Sequence, residues 1–273
     1  MVQDITDEEM NSLTSSILIR YGIDFTCYEP KSLRRRIIRL INNLDIASVH
    51  ELWVKFLHDR NFVNVFMNEV SVGMTSMFRD PVLWRNLKKH LEADFLIKRK
   101  VHTWHAGCST GEEVYSLGIL LKESRMLHKA SAVATDFNQN SIEEARSGVY
   151  HKMKMIENES NYREFNPVDN FANYYTTDGK HATMDPQLIR HTEFKYHNLI
   201  TDSFPTGFDL IFCRNVMIYF DAIAKVKLLD KFYDALNPGG YFVIGFFDTI
   251  NYLMDSKKFK LADEEAKIFQ KVG

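Results

Sequence analysis

The chain has 273 residues, 45% hydrophobic and 26% charged, with a formal net charge of −2. That is the profile of a soluble globular protein with room for one large domain or a small one beside a medium one. The near-neutral balance excludes a global pull toward nucleic acid, and no apolar run reaches membrane-spanning length, so no membrane insertion is expected. The acidic start Met1-Val-Gln-Asp-Ile-Thr-Asp-Glu-Glu9 is unlike a secretory leader. Three cysteines, Cys27, Cys108 and Cys213, are too few and too odd in number for a disulfide framework; they point to a reducing compartment and a cytoplasmic location. Neither Cys-x-x-Cys nor His-Glu-x-x-His spacing occurs, so no metal is expected.

Residues 1–72 read as an all-helical domain. Thr6 and Glu9 have the spacing of a capping box, followed by a helix with Ile17, Leu18 and Tyr21 on one face. In the next helix, Lys31 to Leu44, the residues Leu33, Ile37, Leu40, Ile41 and Leu44 form an apolar stripe at helical spacing. Lys31, Arg35 and Arg39 recur every fourth residue away from it, flanked by Arg34 and Arg36 with no acid between. Such a run is either a solvated face or a docking face for an acidic partner, and its lack of any acid in a net-negative chain favours docking. Leu52, Trp53, Phe56, Leu57, Phe62, Val65 and Phe66 continue a helical core. Residues 73–92 read as an interdomain linker entering a helix near Pro81.

From residue 93 to 273 strands and helices alternate, the mark of a mostly parallel α/β sheet. Val101–His105 reads as the first strand, followed by the turn Gly107-Cys-Ser-Thr-Gly111 and a helix from Glu113 to Leu127. Glycine permits positive φ and close ligand approach, and a helix starting there offers free N–H groups. The turn is neither the three-glycine dinucleotide fingerprint nor a phosphate loop. Glu112 and Glu113 either serve the helix dipole, at about 0.3–1 kcal/mol each, or meet a ligand's ammonium or ribose. The second strand, Ser131–Asp136, ends in an acid placed either to accept ribose hydroxyls or to punctuate the next helix. Residues 150–192, polar and tyrosine-rich with a turn at Thr177-Asp-Gly179, read as an inserted subdomain. Further strands are expected at Glu193–Asn198, Phe208–Cys213 and Tyr241–Gly245, the last fed by a Pro238-Gly-Gly240 turn. A helix is expected around Lys225–Leu236, and a closing hairpin at Phe259–Ala262 and Lys267–Val272.

The runs AGCSTGEEVYSL, IFCRNVMIYFD, LNPGGYFVIG, ARSGVY and TSMFRD resemble the CheR-type chemoreceptor glutamate methyltransferases over nearly the whole chain. The resemblance implies a Rossmann-like methyltransferase sheet with a small inserted subdomain, preceded by an all-α domain, and S-adenosyl-L-methionine as methyl donor. It implies that Glu113 takes the methionine ammonium, Asp136 the ribose hydroxyls, and Asn198 and Leu199 the border of the adenine. Gly107 belongs to the cofactor turn, Arg214 and Asn215 close the site, and Thr75 and Arg79 reach in from the linker. Arg79 and Tyr219 are the implied catalytic pair. The chain departs from the family at Gly73, where Asn is usual, and at Phe246-Phe247-Asp248, where His-Ser-Glu is usual. Its Thr176–Thr183 stretch has one glycine and looks shorter than the glycine-patterned loop with which such subdomains grip a receptor's C-terminal tether, which counts against tether binding.

A glutamate carboxylate is ionised at neutral pH and attacks a sulfonium methyl without a general base; in-line geometry and a dry cleft are what the enzyme must supply. The expected partner is the Glu-rich cytoplasmic helix of a methyl-accepting receptor, with Arg35 and Arg39 docking it by charge complementarity. Competing readings are a cofactor-binding scaffold without catalysis and a methyltransferase for RNA or a small molecule. The near-neutral charge speaks against RNA.

Overall fold

The computed structural model describes residues 4–59, 61–70 and 75–273. They fall into two compact units, Met1–Val72 with Met217–Leu228, and Gly73–Val216 with Leu229–Gly273. Gly73, one of the two departures from the family pattern, lies outside the described residues.

The first unit opens with α1 (Asp7–Tyr21), held by the expected capping box between Thr6 and Glu9. Ile17 is buried there, while Leu18 lies at the surface. Helix α2 (Pro30–Asn43) starts on Pro30, with the Glu29 carboxylate accepting from the N–H groups of Lys31 and Ser32. Leu33, Ile37, Leu40 and Ile41 form its buried stripe. Leu44 falls one residue past the helix and is 40% exposed, because the chain turns through Asp45 at positive φ and sends Ile46 inward instead. Helices α3 (Val49–His58) and α4 (Phe62–Val70) complete the set. Phe56 meets Phe62 and Phe66 edge to face at 5.2 and 5.1 Å, and Phe25 meets Phe66 at 5.5 Å. Leu57 and Val65, expected in this core, are exposed. The returning segment 217–228 joins through a backbone bridge between Tyr28 and Phe220.

The second unit holds α5 (Pro81–Asp94) and a seven-stranded sheet. Its strands are β1 (Val101–Ala106), β2 (Ala130–Asp136), β6 (Thr192–Tyr196), β7 (Phe208–Cys213), β8 (Leu236–Ile244), β9 (Phe259–Asp263) and β10 (Ile268–Lys271). They run in the order β6-β2-β1-β7-β8-β10-β9, parallel except for β10, which is antiparallel to both neighbours. The hairpin expected from the last residues is therefore present, with its second strand inside the sheet. Strand order reverses between β1 and β7, and a doubly wound sheet binds ligands at the carboxyl ends flanking such a point. Helix α6 (Glu112–Glu123) ends four residues before the expected Leu127: Arg125 adopts φ 56° and Met126 donates back to Leu121, which carries Met126 into the core. Pro238-Gly-Gly240 is not a free turn but a bulge within β8. Phe208 pairs with Leu236 and Leu210 with Tyr241, so the extra residues loop out where Pro238 has no N–H to contribute.

Helix α7 (Gln139–Ser147) follows β2, and the inserted segment comes next. It forms an antiparallel sheet of β3 (Val149–His151), β5 (His181–Met184) and β4 (Tyr175–Thr177), with the expected turn at Thr177–Gly179 joining the last two in sequence. Its helix α8 (Lys152–Phe165) was not anticipated. Only Met155, Asn158, Tyr162 and Phe165 of α8 are buried, so its apolar stripe is thin and partly polar. Tyr162, Phe165, Phe171 and Tyr174 pack into the same core as Phe78 and Trp84, which is what the tyrosines of this segment rest on. Helix α9 (Ala222–Ala235) begins within the returning segment.

The two ends of the α2 stripe separate burial from pattern. Leu40→Ala removes a fully buried side chain and is expected to cost about 2–5 kcal/mol. Leu44→Ala is expected to stay within about 0.5 kcal/mol. Urea unfolding followed by circular dichroism reads both, and equal losses would show that Leu44 is packed.

Candidate functional site

At the carboxyl end of β1 the chain turns through Gly107 (φ 85°), Ser109 (φ 48°) and Gly111 (φ 92°). A Cβ at Gly111 would stand 2.7 Å from that of Ala145 on α7, so the glycine is required by packing as well as by φ. The N–H groups of Gly107 and Cys108 both donate to the Thr135 carbonyl at 2.8 Å, tying the turn to β2. Cys108 is buried and burial pushes its thiol well up, so it packs and is not poised as a nucleophile.

Asp136, the last residue of β2, is 8% exposed. Its two oxygens accept from the Ser109 N–H at 2.8 Å and the Asn138 N–H at 2.9 Å. Burial raises its pKa from the ordinary value, and the backbone donors only partly offset that. The two consecutive acids divide their tasks. Glu112 is fully buried, accepting from Thr110 Oγ1 at 2.6 Å and from Lys154 Nζ of α8 at 3.2 Å. Tyr150 of β3 donates to the Thr110 carbonyl at 2.7 Å. Glu112 is thus the anchor between the turn and the inserted segment, and burial raises its pKa against the pull of Lys154 and Thr110.

Glu113 lies on the other side. One of its oxygens meets His105 Nδ1 at 2.8 Å and the other accepts from Arg214 Nη1 at 3.2 Å. Burial alone would raise its pKa, but His105 and Arg214 together hold it below the ordinary value. Arg214, just past β7 and 8% exposed, also donates through Nη2 to Asp80 Oδ2 at 2.7 Å and to the Arg79 carbonyl at 3.0 Å. Asp80 stands at the N-cap position of α5 yet makes no cap, because its carboxylate is engaged by Arg214. The same 75–80 loop is pinned from below: Met77 and Phe78 donate to Asn158 and to Ser116 Oγ, each at 2.8 Å, and Asn161 donates to Ser76 Oγ and the Met77 carbonyl. Phe78 and Asp80 both have positive φ, a strain maintained by these contacts.

Within the second unit the structure therefore brings together Gly107, Glu113, Asp136, Arg214 and the Arg79 backbone around the ends of β1, β2 and β7. Thr75 and the Arg79 side chain are half-buried on the loop. Asn198 lies two residues past β6, its Oδ1 accepting from the Ile200 N–H at 2.9 Å, with Leu199 buried beside it. Asn215 follows Arg214 at φ 59°, its N–H donated to Asp248 at 2.7 Å. Asp248 also accepts from the Gly245 N–H at 2.8 Å and is 3% exposed; the residue at this point of departure from the family braces the Arg214–Asn215 turn. Tyr219 belongs to the first unit, where the Arg36 guanidinium lies 4.1 Å from its ring centroid and its carbonyl accepts from the Glu29 N–H. Arg35 and Arg39 are exposed on α2. Sequence reading missed Asp80 and His105, and it noted Arg36 and Asp248 without the contacts they make. The signal for His105 was present, since the end of a strand and the first turn of the helix after it are neighbours in this motif; the other three act through contacts distant along the chain. Among the described residues no cluster of three or more His, Cys, Asp or Glu could hold a metal, and no helix is long and apolar enough to cross a membrane.

Two family models match the chain: the CheR methyltransferase SAM-binding domain over residues 73–268 and the CheR methyltransferase all-alpha domain over residues 8–71. The chain belongs to the CheR methyltransferase family. It is 34% identical to Cher3 of Pseudomonas putida over 97% of both chains. It is 31% identical to the chemotaxis protein methyltransferase of Listeria innocua over 82% of this chain and 83% of that one. With the chemotaxis protein methyltransferase of Borreliella burgdorferi it shares 29% over 90% of each. The family's cofactor is S-adenosylmethionine, and the residues suit it. Two carboxylates, the buried Asp136 and the half-buried Glu113, are acceptor-only groups that suit a ligand bearing hydroxyl and ammonium donors, and each oxygen can accept more than one bond.

The raised pKa of Asp136 sets a sign for binding. A hydroxyl donates to an ionised carboxylate, so a proton on Asp136 would compete with any ligand whose hydroxyls it accepted. Affinity for S-adenosylhomocysteine is expected to fall as pH is lowered into the range where Asp136 takes up a proton, and to fall less in Asp136→Asn, whose weaker binding carries no proton competition. Calorimetry at stepped pH checks this; a parallel fall in both proteins would place the titrating group elsewhere.

Proposed function

We propose that the chain transfers the methyl group of S-adenosylmethionine to glutamate side chains of chemoreceptor cytoplasmic helices, forming methyl esters. Membership of the CheR family supports methyl transfer, and the names of the relatives from Listeria and Borreliella support chemotaxis as its setting. The observation that carries the substrate class is the exposed row Lys31, Arg35 and Arg39 on α2. Arg34 is paired with Asp7 and Arg36 is engaged by the Val70 carbonyl and Tyr219, so the row that remains at the surface is the part of the run with the fourfold spacing. A cationic row at helical repeat complements a helix that presents glutamates at the same repeat, which steers encounter and fixes register.

The bound cofactor supplies an electrophilic methyl on a sulfonium. The protein's own residues hold and orient. Asp136 receives the ribose hydroxyls, Asn198 and Leu199 border the adenine, and Glu113 receives the methionine ammonium. Asn215 and Thr75 complete the cofactor contacts. Arg79 steers a carboxylate without pairing it so tightly that nucleophilicity is lost, and Tyr219 stands beside the transferring methyl. The substrate carboxylate needs no base because it is already ionised at neutral pH, so rate comes from alignment and from exclusion of water. The single-glycine Thr177–Gly179 hairpin is proposed to have no part in gripping a receptor tether.

Calorimetry with S-adenosylhomocysteine is expected to show a single site that is lost, or weakened at least about tenfold, in Asp136→Ala, since a buried charged acceptor for two hydroxyls disappears. No binding to the folded wild-type chain would sink the reading. For the substrate, Arg35→Glu/Arg39→Glu is expected to slow receptor methylation at least about tenfold at low ionic strength. The gap should narrow toward 1 M salt, where screening acts over roughly 3 Å, with S-adenosylhomocysteine affinity unchanged. A wild-type rate from the double variant at low salt would remove α2 from substrate docking.

A further inference from the structure

His105 is the penultimate residue of β1 and its side chain is fully buried. Its ring lies parallel to that of Phe212 on the neighbouring strand, at 4.8 Å and 2°. The register His105↔Phe212 between β1 and β7 sets this stack, so the ring plane is fixed by the sheet itself. Nδ1 lies 2.8 Å from Glu113 Oε1. An ionised carboxylate can only accept, which assigns the hydrogen to Nδ1. Nε2 is buried and has no partner among the described residues; the ring's one hydrogen bond is the one to Glu113. A buried polar ring with a single bond made and the second nitrogen left unmatched costs stability. Packing alone would be better served by phenylalanine or leucine.

We propose that His105 is a positioning residue for the methionine end of the cofactor. By donating to one oxygen of Glu113 while Arg214 donates to the other, it locks the carboxylate plane. Glu113 then presents its remaining lone pairs to the ammonium in one orientation and does not rotate onto Arg214 as a two-pronged pair. This rests on the reading of Glu113 as the ammonium acceptor. The predicted consequence is selective: His105 governs affinity for the amino-acid part of the cofactor and leaves the adenosine part alone.

The test compares two ligands on the full chain, S-adenosylhomocysteine and 5′-methylthioadenosine, which keeps the adenosine and the thioether and lacks the amino acid. His105→Phe keeps an aromatic ring, slightly larger, for the stack on Phe212 and removes the bond. It is expected to weaken S-adenosylhomocysteine about tenfold or more with methylthioadenosine unchanged. His105→Asn, whose amide nitrogen falls near the position of Nδ1, is expected to recover most of the loss. His105→Gln, whose amide nitrogen falls near Nε2, is expected not to. If the Phe variant does not fold, the Asn and Gln variants carry the comparison between them. Equal weakening of both ligands would overturn the proposal in favour of a purely structural residue, and unchanged S-adenosylhomocysteine binding would overturn it outright. Glu113→Gln in the same assay separates the two levels. If it loses the preference for S-adenosylhomocysteine and His105→Phe does not, His105 alone is refuted. If it keeps that preference, the assignment of Glu113 fails and takes the proposal with it.

Discussion

A carboxylate with little access to water at the start of a helix has to be compensated, and the compensation of Glu113 organises the second unit. Burial works against its charge, and two donors from two adjacent strands overcome that: His105 from β1 and Arg214 from the end of β7. Arg214 in turn is a buried cation and needs acceptors of its own, which it finds in Asp80 and the Arg79 carbonyl. One charge thus obliges the next, and the series fixes the turn after β1, the turn after β7 and the 75–80 loop in one frame. Removing one member would leave Glu113 or Arg214 with fewer partners where water has little access, a larger penalty than the loss of an exposed ion pair. Coupling of this kind lets side chains from distant parts of the chain meet one ligand with little freedom to lose on binding.

The inserted segment braces the same frame from another direction. Lys154 and Tyr150 secure the glycine turn through Glu112 and Thr110, while Asn158 and Asn161 hold the backbone of the 75–80 loop. An insertion read from sequence as a subdomain is, in its contacts, a support for the glycine turn after β1 and the 75–80 loop. The polar residues along the buried side of α8 follow from this, since an asparagine that satisfies loop N–H and C=O groups must displace an apolar side chain at that position.

The basic helix shows how tertiary contacts edit a charge run. Five cations between residues 31 and 39 make one pattern in sequence. In the fold Arg34 turns to Asp7 and Arg36 to the Tyr219 ring and the Val70 carbonyl, and the surface keeps Lys31, Arg35 and Arg39. The long guanidinium stems allow adjacent residues to serve opposite ends, one in solvent and one over an aromatic face. The polar roles at the end of β8 divide in the same way: Phe247 is exposed while Asp248 one residue on is buried, holding the N–H groups of Asn215 and Gly245.

Much of this protein is written in local pattern. Helical and alternating periodicities, the capping box at Thr6, the proline at the start of α5, the glycines at 107 and 111, the acid at the tip of β2 and the closing hairpin depend on neighbours within a few residues, and each was legible before any coordinates. So were the family motifs, because they are contiguous. What the tertiary structure decided was the fate of polar side chains whose partners are far along the chain. Glu112 and Glu113 are adjacent and chemically alike, yet one anchors the inserted segment and the other joins His105 and Arg214, since a helix points consecutive residues about 100° apart and different elements wait on each side. Asp80 stands at the N-cap position of α5 and instead neutralises an arginine 134 positions later. Leu44 continues a stripe that the helix does not live to bury. Local sequence determines which hydrogen-bonding and apolar groups an element displays; only the packed fold determines which of them meet, because burial makes every unpaired polar group costly and so selects the one set of long-range partners that satisfies them together.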